Sequence, residues 1–236
     1  MIRSYNMNGF LYVDKPKGWT SFDVVNYVRR KVANIVDKKP RNVKVGHTGT
    51  LDPAATGLLI LCVGRYTKKV PGLIKEDKTY LVEVTLGRTS TTGDTEGDIQ
   101  ASSSQVPSLS DVEDSLSKFT GDILQTPPIY SAIKVNGERA YKLAREGKEV
   151  KLKPRQVTVY SIEEIEYQYP ILKFKTRVSS GTYVRSLAQD IGEQLGVGAY
   201  MSNLRRTMIG KTSMEDSLHI DDITEDELKK QLDKSS

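Results

Sequence analysis

The sequence predicts an α+β fold, a mixed and largely antiparallel sheet flanked by helices. Three observations carry that expectation. Strand-like and helix-like patterns interleave along the chain, several strand pairs lie close together in sequence, and 236 residues with 37% hydrophobic content suffice for a sizeable core. A doubly wound parallel sheet would need a long crossover between paired strands, and it fits less well.

Phe10 to Val13 reads as a short strand, followed by a turn at Lys15-Pro16-Lys17-Gly18. Thr20 with Asp23 resembles a capping box, and Val24, Val28 and Val32 at i+4 spacing predict a helix to about Val36. Asp37 to Lys44 is a basic loop, and the apolar run Leu58 to Val63 suits a buried strand. Thr79 to Leu86 alternates, with Tyr80, Val82, Val84 and Leu86 on one side. Gly87 to Ser104, rich in Thr, Ser, Gly and Asp, predicts an exposed loop. Ser110 with Glu113 predicts a second capping box and a helix to about Phe119. Ile129 to Val135 reads as a strand, Asn136-Gly137 as a tight turn, and Arg139 to Glu146 as a helix stopped by Gly147. Val157 to Tyr167 and Ile171 to Val178 form a strand pair around Pro170. Thr182 to Leu195 is helical, stopped by Gly196, and Thr224 with Glu227 caps a last acidic helix.

One cysteine, Cys62, and two histidines, His47 and His219, exclude a disulfide scaffold, a zinc finger and a His-rich metal site. The longest apolar stretch, Gly57 to Gly64, is far short of the roughly 20 residues that span a bilayer. The N-terminus has no apolar signal core. A soluble chain of a reducing compartment, the cytoplasm, is expected. Net charge is +5, but residues 214–236 hold eight acidic and three basic side chains, so the first 213 residues carry +10. Arg29 to Lys44 and Lys134 to Arg155 concentrate that excess. A polyanion suits such a surface, because neutralised phosphates release counterions; a solvated, mildly basic surface is the plainer alternative.

The informative stretch is Lys44 to Gly64, KVGHTGTLDPAATGLLILCVG. Asp52 sits in a loop punctuated by Gly46, Gly49 and Gly57, directly before the apolar strand. Glycines let the backbone approach a ligand, and Pro53 fixes a dihedral. A carboxylate held at the mouth of a buried strand is where a nucleophile or general base is often placed. An Asp that merely starts the turn at Pro53 has the same pattern.

The words themselves are recognisable. GHTGTLDPAATG, the early DKPKGWTS, Lys78-Thr79-Tyr80, the stretch Thr89 to Asp98 and SSGTYVRSLAQDIG occur in one order, and together they resemble the TruB-type tRNA pseudouridine synthases from about Gly9 to Arg206. The resemblance implies the pseudouridine synthase fold and an isomerase that turns uridine 55 of the tRNA T-loop into pseudouridine by base flipping. It implies no cofactor and no metal, and a catalytic domain over residues 1–213 followed by a short acidic helical tail at 214–236.

Asp52 matches the catalytic aspartate and is expected to be the nucleophile. Cleaving a base from ribose builds oxocarbenium character at C1′, which a carboxylate can trap; attack at C1′, addition to uracil and removal of a ribose proton all remain open. Arg185 matches the active-site arginine, expected to pair with Asp52, keep it ionised and fix its orientation. Tyr80 matches the ring that stacks on the flipped uracil and joins the proton transfers at C5, although its strand position also suits a core aromatic. His47 matches a residue that stacks in the T-loop as the base leaves, offsetting the stacking lost on extrusion. Tyr183 matches a substrate-contacting tyrosine and Leu204 a position lining the pocket, a role compatible with a plain core leucine. Asp94 matches an aspartate of the base-flipping contacts, with a solvated turn Asp as its competitor. Lys15 and Pro16 are expected to support the active-site loop. The two basic stretches become phosphate contacts, with Tyr141 adding a ring.

Most bacterial members continue into a small RNA-binding module of the PUA type, which the acidic tail cannot form. The expected consequence is recognition of an isolated T-arm about as well as whole tRNA. Separately, a monomer that acts on the T-arm of tRNA is expected, with no obligatory protein partner and no membrane. Two other readings compete: an RNA-binding folding helper whose catalysis is dispensable, and a guide-RNA-dependent relative modifying ribosomal RNA.

Overall fold

The computed structural model describes residues 7–131, 133–135, 137–148, 150 and 152–232, with backbone alone at 134, 135, 141 and 145. In chain order it forms β1 (Gly9–Lys15), α1 (Ser21–Ile35), β2 (Val45–His47), β3 (Thr56–Val63), α2 (Val70–Leu73), β4 (Lys78–Leu86), β5 (Arg88–Ser90), β6 (Ile99–Ala101) and α3 (Leu109–Ser117). Next come β7 (Gly121–Gln125), β8 (Lys134–Val135), β9 (Glu138–Arg139), α4 (Ala140–Arg145), β10 (Arg155–Gln168) and β11 (Ile171–Val178). The chain finishes with α5 (Val184–Gln194), β12 (Ala199–Ile209), β13 (Thr212–Ser213), β14 (Leu218–His219) and α6 (Glu225–Leu232). Contacts divide it into two units, residues 1–78 with 205–236 and residues 79–204.

The first unit is built on β3. Along one edge it pairs antiparallel with β1, from Gly57 against Lys15 to Val63 against Gly9. Its other edge is shared by β2, antiparallel at Leu61–Val63, and the last part of β12, parallel at Thr56 and Gly57. The tail strand β14 adds to β1 in parallel, and the sheet is mixed as expected. Pleating sends alternate β3 residues to opposite faces. Leu59, Leu61 and Val63 join Leu11, Val13, the α1 residues Val24, Val25, Val28 and Val32, and the tail residues Ile223, Leu228 and Leu232. Leu58 and Ile60 pack with Ile209, Phe10 and Tyr12. Each fully buried Val or Leu contributes about 1.5–3 kcal/mol. α1 starts where the sequence places it: Thr20 Oγ1 accepts from the Asp23 N–H (3.0 Å), and the Asp23 carboxylate accepts from the Thr20 N–H (2.8 Å).

In the second unit the strand order is β12, β4, β11, β10, β7. β10 pairs antiparallel with β11 and with β7. Val82, Val84, Leu86, Leu172, Phe174, Val178, Val157 and Val159 are buried, and α3 packs against α5 and β10. Both units therefore hold a mixed or antiparallel sheet flanked by helices.

Several expectations need correction. Gly87 to Ser104 is not an open loop: β5 and β6 form a ribbon, and Ser90 and Asp94 are buried, because Asp94 neutralises a buried arginine described below. The second capping box uses Ser108 and Asp111 rather than Ser110 and Glu113; two overlapping Ser-x-x-acid frames were available, and the earlier one starts the helix. Among the described residues of Ile129 to Val135, strand is found at Lys134–Val135, while the Tyr130 carbonyl accepts from Arg185 of α5 (3.0 Å). β2, β7 and β12 carried no readable strand signal. Among the described residues, no helix is long and apolar enough to cross a membrane.

Candidate functional site

In the first unit the Asp52 loop is clamped on both sides. Ser21 Oγ accepts from the Leu51 N–H (2.8 Å) and donates to the Leu51 carbonyl (3.0 Å). The Pro53 carbonyl accepts from the Gly18 N–H (2.8 Å) and from Lys15 Nζ (3.4 Å). Lys15 is fully buried, and its ammonium also donates to the Pro16 and Trp19 carbonyls, at 2.9 and 2.6 Å. The Lys15–Gly18 turn, the start of α1 and the Leu51–Pro53 segment thus form one hydrogen-bonded body. Asp52, half-buried, is held between two fixed residues, and its own carbonyl accepts from Ala55 (3.1 Å). A side chain projected from such a backbone has few orientations to lose on reaching a transition state.

A second brace lies at Gly49. Arg206, 1% exposed, donates from Nε to the Leu58 carbonyl (2.8 Å) and from Nη2 to the Gly49 carbonyl (3.0 Å). A Cβ at Gly49 would stand 3.5 Å from Arg206 Nη1 and 3.9 Å from Lys78 Cε. His47 Nδ1 accepts from the Gly49 N–H at 3.4 Å. Burial, and then the Arg206 charge, push the His47 imidazole below its usual range, so the ring is neutral at pH 7. The same two causes bring the Lys78 ammonium down to about 8. Its Nζ donates to the Ile74 and Glu76 carbonyls.

The second unit gathers Arg185, Asp94 and Tyr183 around the start of α5. Arg185 Nη1 lies 3.1 Å from Asp94 Oδ2 and donates to the Thr92 carbonyl (3.1 Å), while Nη2 donates to the Tyr130 carbonyl (3.0 Å). Asp94 is 1% exposed, and its Oδ1 accepts from Thr92 Oγ1 (2.5 Å) and the Glu96 N–H (3.0 Å). It is no solvated turn residue. Tyr183, the N-cap of α5, is fixed through its backbone: Gln125 Oε1 accepts from its N–H (2.7 Å) and Gln125 Nε2 donates to its carbonyl (3.0 Å). The Arg155 guanidinium lies 5.1 Å from the centre of its ring. Tyr80 is buried on β4, and Leu204 is buried in β12.

Each unit therefore holds part of the expected set: His47 and Asp52 lie in the first, Tyr80, Asp94, Tyr183, Arg185 and Leu204 in the second. The ring of Tyr141 lies outside the described residues. Sequence reasoning missed Ser21, Gln125, Lys78 and Arg206 as supports. Ser21 lay in plain view inside the capping box, but nothing local marks a hydroxyl that reaches a loop 30 residues away.

The model of the TruB family pseudouridylate synthase N-terminal domain matches residues 34–184, and that of the tRNA pseudouridylate synthase B C-terminal domain matches 185–235. A tRNA pseudouridine synthase B of Clostridium kluyveri is 44% identical over 91% of this chain and 72% of its own length. One from Parabacteroides distasonis is 43% identical over 87% of both chains. Among solved structures, a Cbf5-Nop10-Gar1 complex matches with a TM-score of 0.68 and 30% identity over 94% of this chain. An H/ACA RNP bound to a substrate RNA containing 2′-deoxyuridine matches at 0.66 and 28% over 92%. This chain spans 55% and 52% of those two chains. With a family model covering most of its length and relatives above 40% identity, the chain belongs to the TruB family of pseudouridylate synthases.

Proposed function

We propose that the chain is a tRNA pseudouridine synthase that isomerises uridine 55 of the T-loop, with Asp52 as the nucleophile. The observation that supports this most is 44% identity over 91% of the chain to a protein named tRNA pseudouridine synthase B. The reaction is balanced within one nucleotide: the C1′–N1 bond breaks, the uracil turns in place, C1′–C5 forms, and the proton leaving C5 is matched by one gained at N1. Asp52 stabilises or traps the sugar as the first bond breaks, and Arg185 orients that carboxylate. Tyr80 stacks on the everted uracil and serves the proton transfer at C5. His47, a neutral ring, replaces stacking lost in the T-loop; Tyr183, Leu204 and Asp94 shape the pocket. Residues 1–213 carry this chemistry, and the acidic tail that follows contributes Ile223, Leu228 and Leu232 to the core of the first unit. The protein works as a monomer in the cytoplasm, without a protein partner.

Incubation with an unmodified tRNA transcript, followed by mapping of pseudouridine along it, tests the reading. One new pseudouridine at position 55, formed without guide RNA, is expected. Tight binding without turnover would favour a folding helper, and turnover only with a guide RNA would favour a guided enzyme; either result overturns the proposal.

A further inference from the structure

The outer face of α1 carries a feature that the reaction does not use. Its valines face the core, yet Phe22 is 58% exposed. Lone exposed apolar residues are ordinary, but four residues set this one apart. Ser21, the preceding residue, holds both backbone groups of Leu51, next to Asp52. Arg29, two turns along, lies 5.7 Å from the centre of the Phe22 ring and is itself fixed, donating to Asn26 Oδ1 (2.6 Å) and to the Val45 carbonyl (3.3 Å). Arg30 follows Arg29 on α1 and Lys44 precedes Val45, whose carbonyl Arg29 holds; both are exposed, with no carboxylate at ion-pair distance among the described residues. The acids Asp226 and Glu227 of the neighbouring helix α6 are already matched by Lys229 and Lys230.

An exposed ring backed by a guanidinium and flanked by unmatched cations has the chemistry of a single-stranded nucleic-acid platform, where bases stack and phosphates follow the charge. We propose that the ridge formed by Phe22, Arg29, Arg30 and Lys44 docks the RNA substrate, Phe22 stacking on an unpaired base beside the target nucleotide while Arg30 and Lys44 lie against its phosphates. This rests on the reading of the chain as an RNA-modifying enzyme. The ridge begins one residue from Ser21, whose hydroxyl holds Leu51 next to Asp52, and this adjacency links RNA held there to the loop that carries the carboxylate. A protein partner would instead require an apolar patch larger than one ring; the one carboxylate adjoining Phe22 in sequence, Asp23, is engaged by the Thr20 N–H and hydroxyl, which leaves Arg30 and Lys44 as the unmatched charges.

The test is steady-state kinetics on tRNA together with fluorescence-anisotropy binding of a labelled T-arm RNA. Phe22→Ala should raise KM and the T-arm Kd about tenfold, about 1.4 kcal/mol, and leave kcat within about twofold. Phe22→Trp should keep wild-type values. The double variant Arg30→Gln/Lys44→Gln should flatten the log–log salt dependence of binding by about 1.4, roughly 0.7 for each phosphate lost. All positions are on the surface, so melting temperatures should match wild type. An unchanged Kd and salt slope would overturn the proposal, as would a fall in kcat alone, which would mean that Phe22 acts through the Ser21 clamp. Should wild type make no pseudouridine, the functional reading falls, while the anisotropy comparison still decides whether the ridge binds RNA.

Discussion

The guanidinium of Arg185 lies 3.1 Å from the Asp94 carboxylate, and neither side chain is more than 7% exposed. A cation taken out of water this completely depends on its counter-ion, and breaking such a pair from one side typically costs roughly 3–5 kcal/mol. Asp94→Asn keeps the shape and removes the charge. It should lower stability by several kcal/mol and reduce kcat, because Arg185 and the Thr92 and Tyr130 carbonyls it holds lose their arrangement together. A melting temperature equal to wild type would show that the pair is not what anchors Arg185.

Asp52→Asn should separate binding from turnover. The backbone clamps at Leu51 and Pro53 involve no Asp52 carboxylate oxygen, so the loop should keep its form. Product formation should fall by more than about a thousandfold, as for loss of a nucleophile, with the Kd for tRNA within a few-fold of wild type. Turnover within tenfold of wild type would reject Asp52 as the nucleophile.

Ser21→Ala leaves the Leu51 N–H without its partner. An unmet buried donor costs about 1–3 kcal/mol, and the freed loop should lower kcat while KM changes little. Ser21→Thr, which restores the hydroxyl, should recover part of kcat. Equal kcat in the alanine and wild-type enzymes would mean that the Lys15–Pro53 side of the clamp suffices.

How far the sequence foretold this arrangement depended on how local each cause is. The capping box of α1 and the run Leu58 to Val63 were legible because their determinants lie within a few residues: a Thr and an Asp three apart, and a strand buried on both faces. β12 was not legible, since Arg206 occupies a fully buried position in it, held by carbonyls of Leu58 and Gly49, 148 and 157 residues earlier. The stretch around Asp94 reads as a polar loop for the same reason: the charge that buries it sits on α5. The site followed suit. Asp52, His47, Tyr80 and Arg185 stood in recognisable words, and so did Ser21, but its hold on Leu51, like the contacts of Gln125 and Arg206, is tertiary and announced by no spacing.

Asp190 on α5 carries a carboxyl pushed up to about 6, first by burial and then by the Glu193 charge. Between its unfolded value of 3.8 and about 6, the folded chain keeps a proton that the unfolded chain releases. The corresponding stability is present below pH 4 and lost as pH rises through 6. Asp190→Asn removes this dependence. The variant should melt above wild type at pH 7, and the gap should close at pH 4. A gap of the same size at both values would locate the effect in something other than this titration.

Two glycines with similar backbones should respond differently to alanine. Gly57 and Gly18 both have positive φ, +101° and +84°, and both substitutions carry the strain of a side chain in that region, about 1 kcal/mol. At Gly18 a Cβ would meet nothing within 4 Å, so Gly18→Ala should be destabilised by about that amount. At Gly57 it would fall 2.3 Å from the Arg206 carbonyl oxygen, across the pairing of β3 with β12. Backbone cannot yield there without moving Arg206 away from Gly49 and Leu58. Gly57→Ala should therefore lose several kcal/mol, and the remaining folded enzyme should have a depressed kcat because the brace behind His47 and the Asp52 loop shifts with it. Comparable denaturation midpoints for the two variants would show that β3 and β12 can part at this point without consequence.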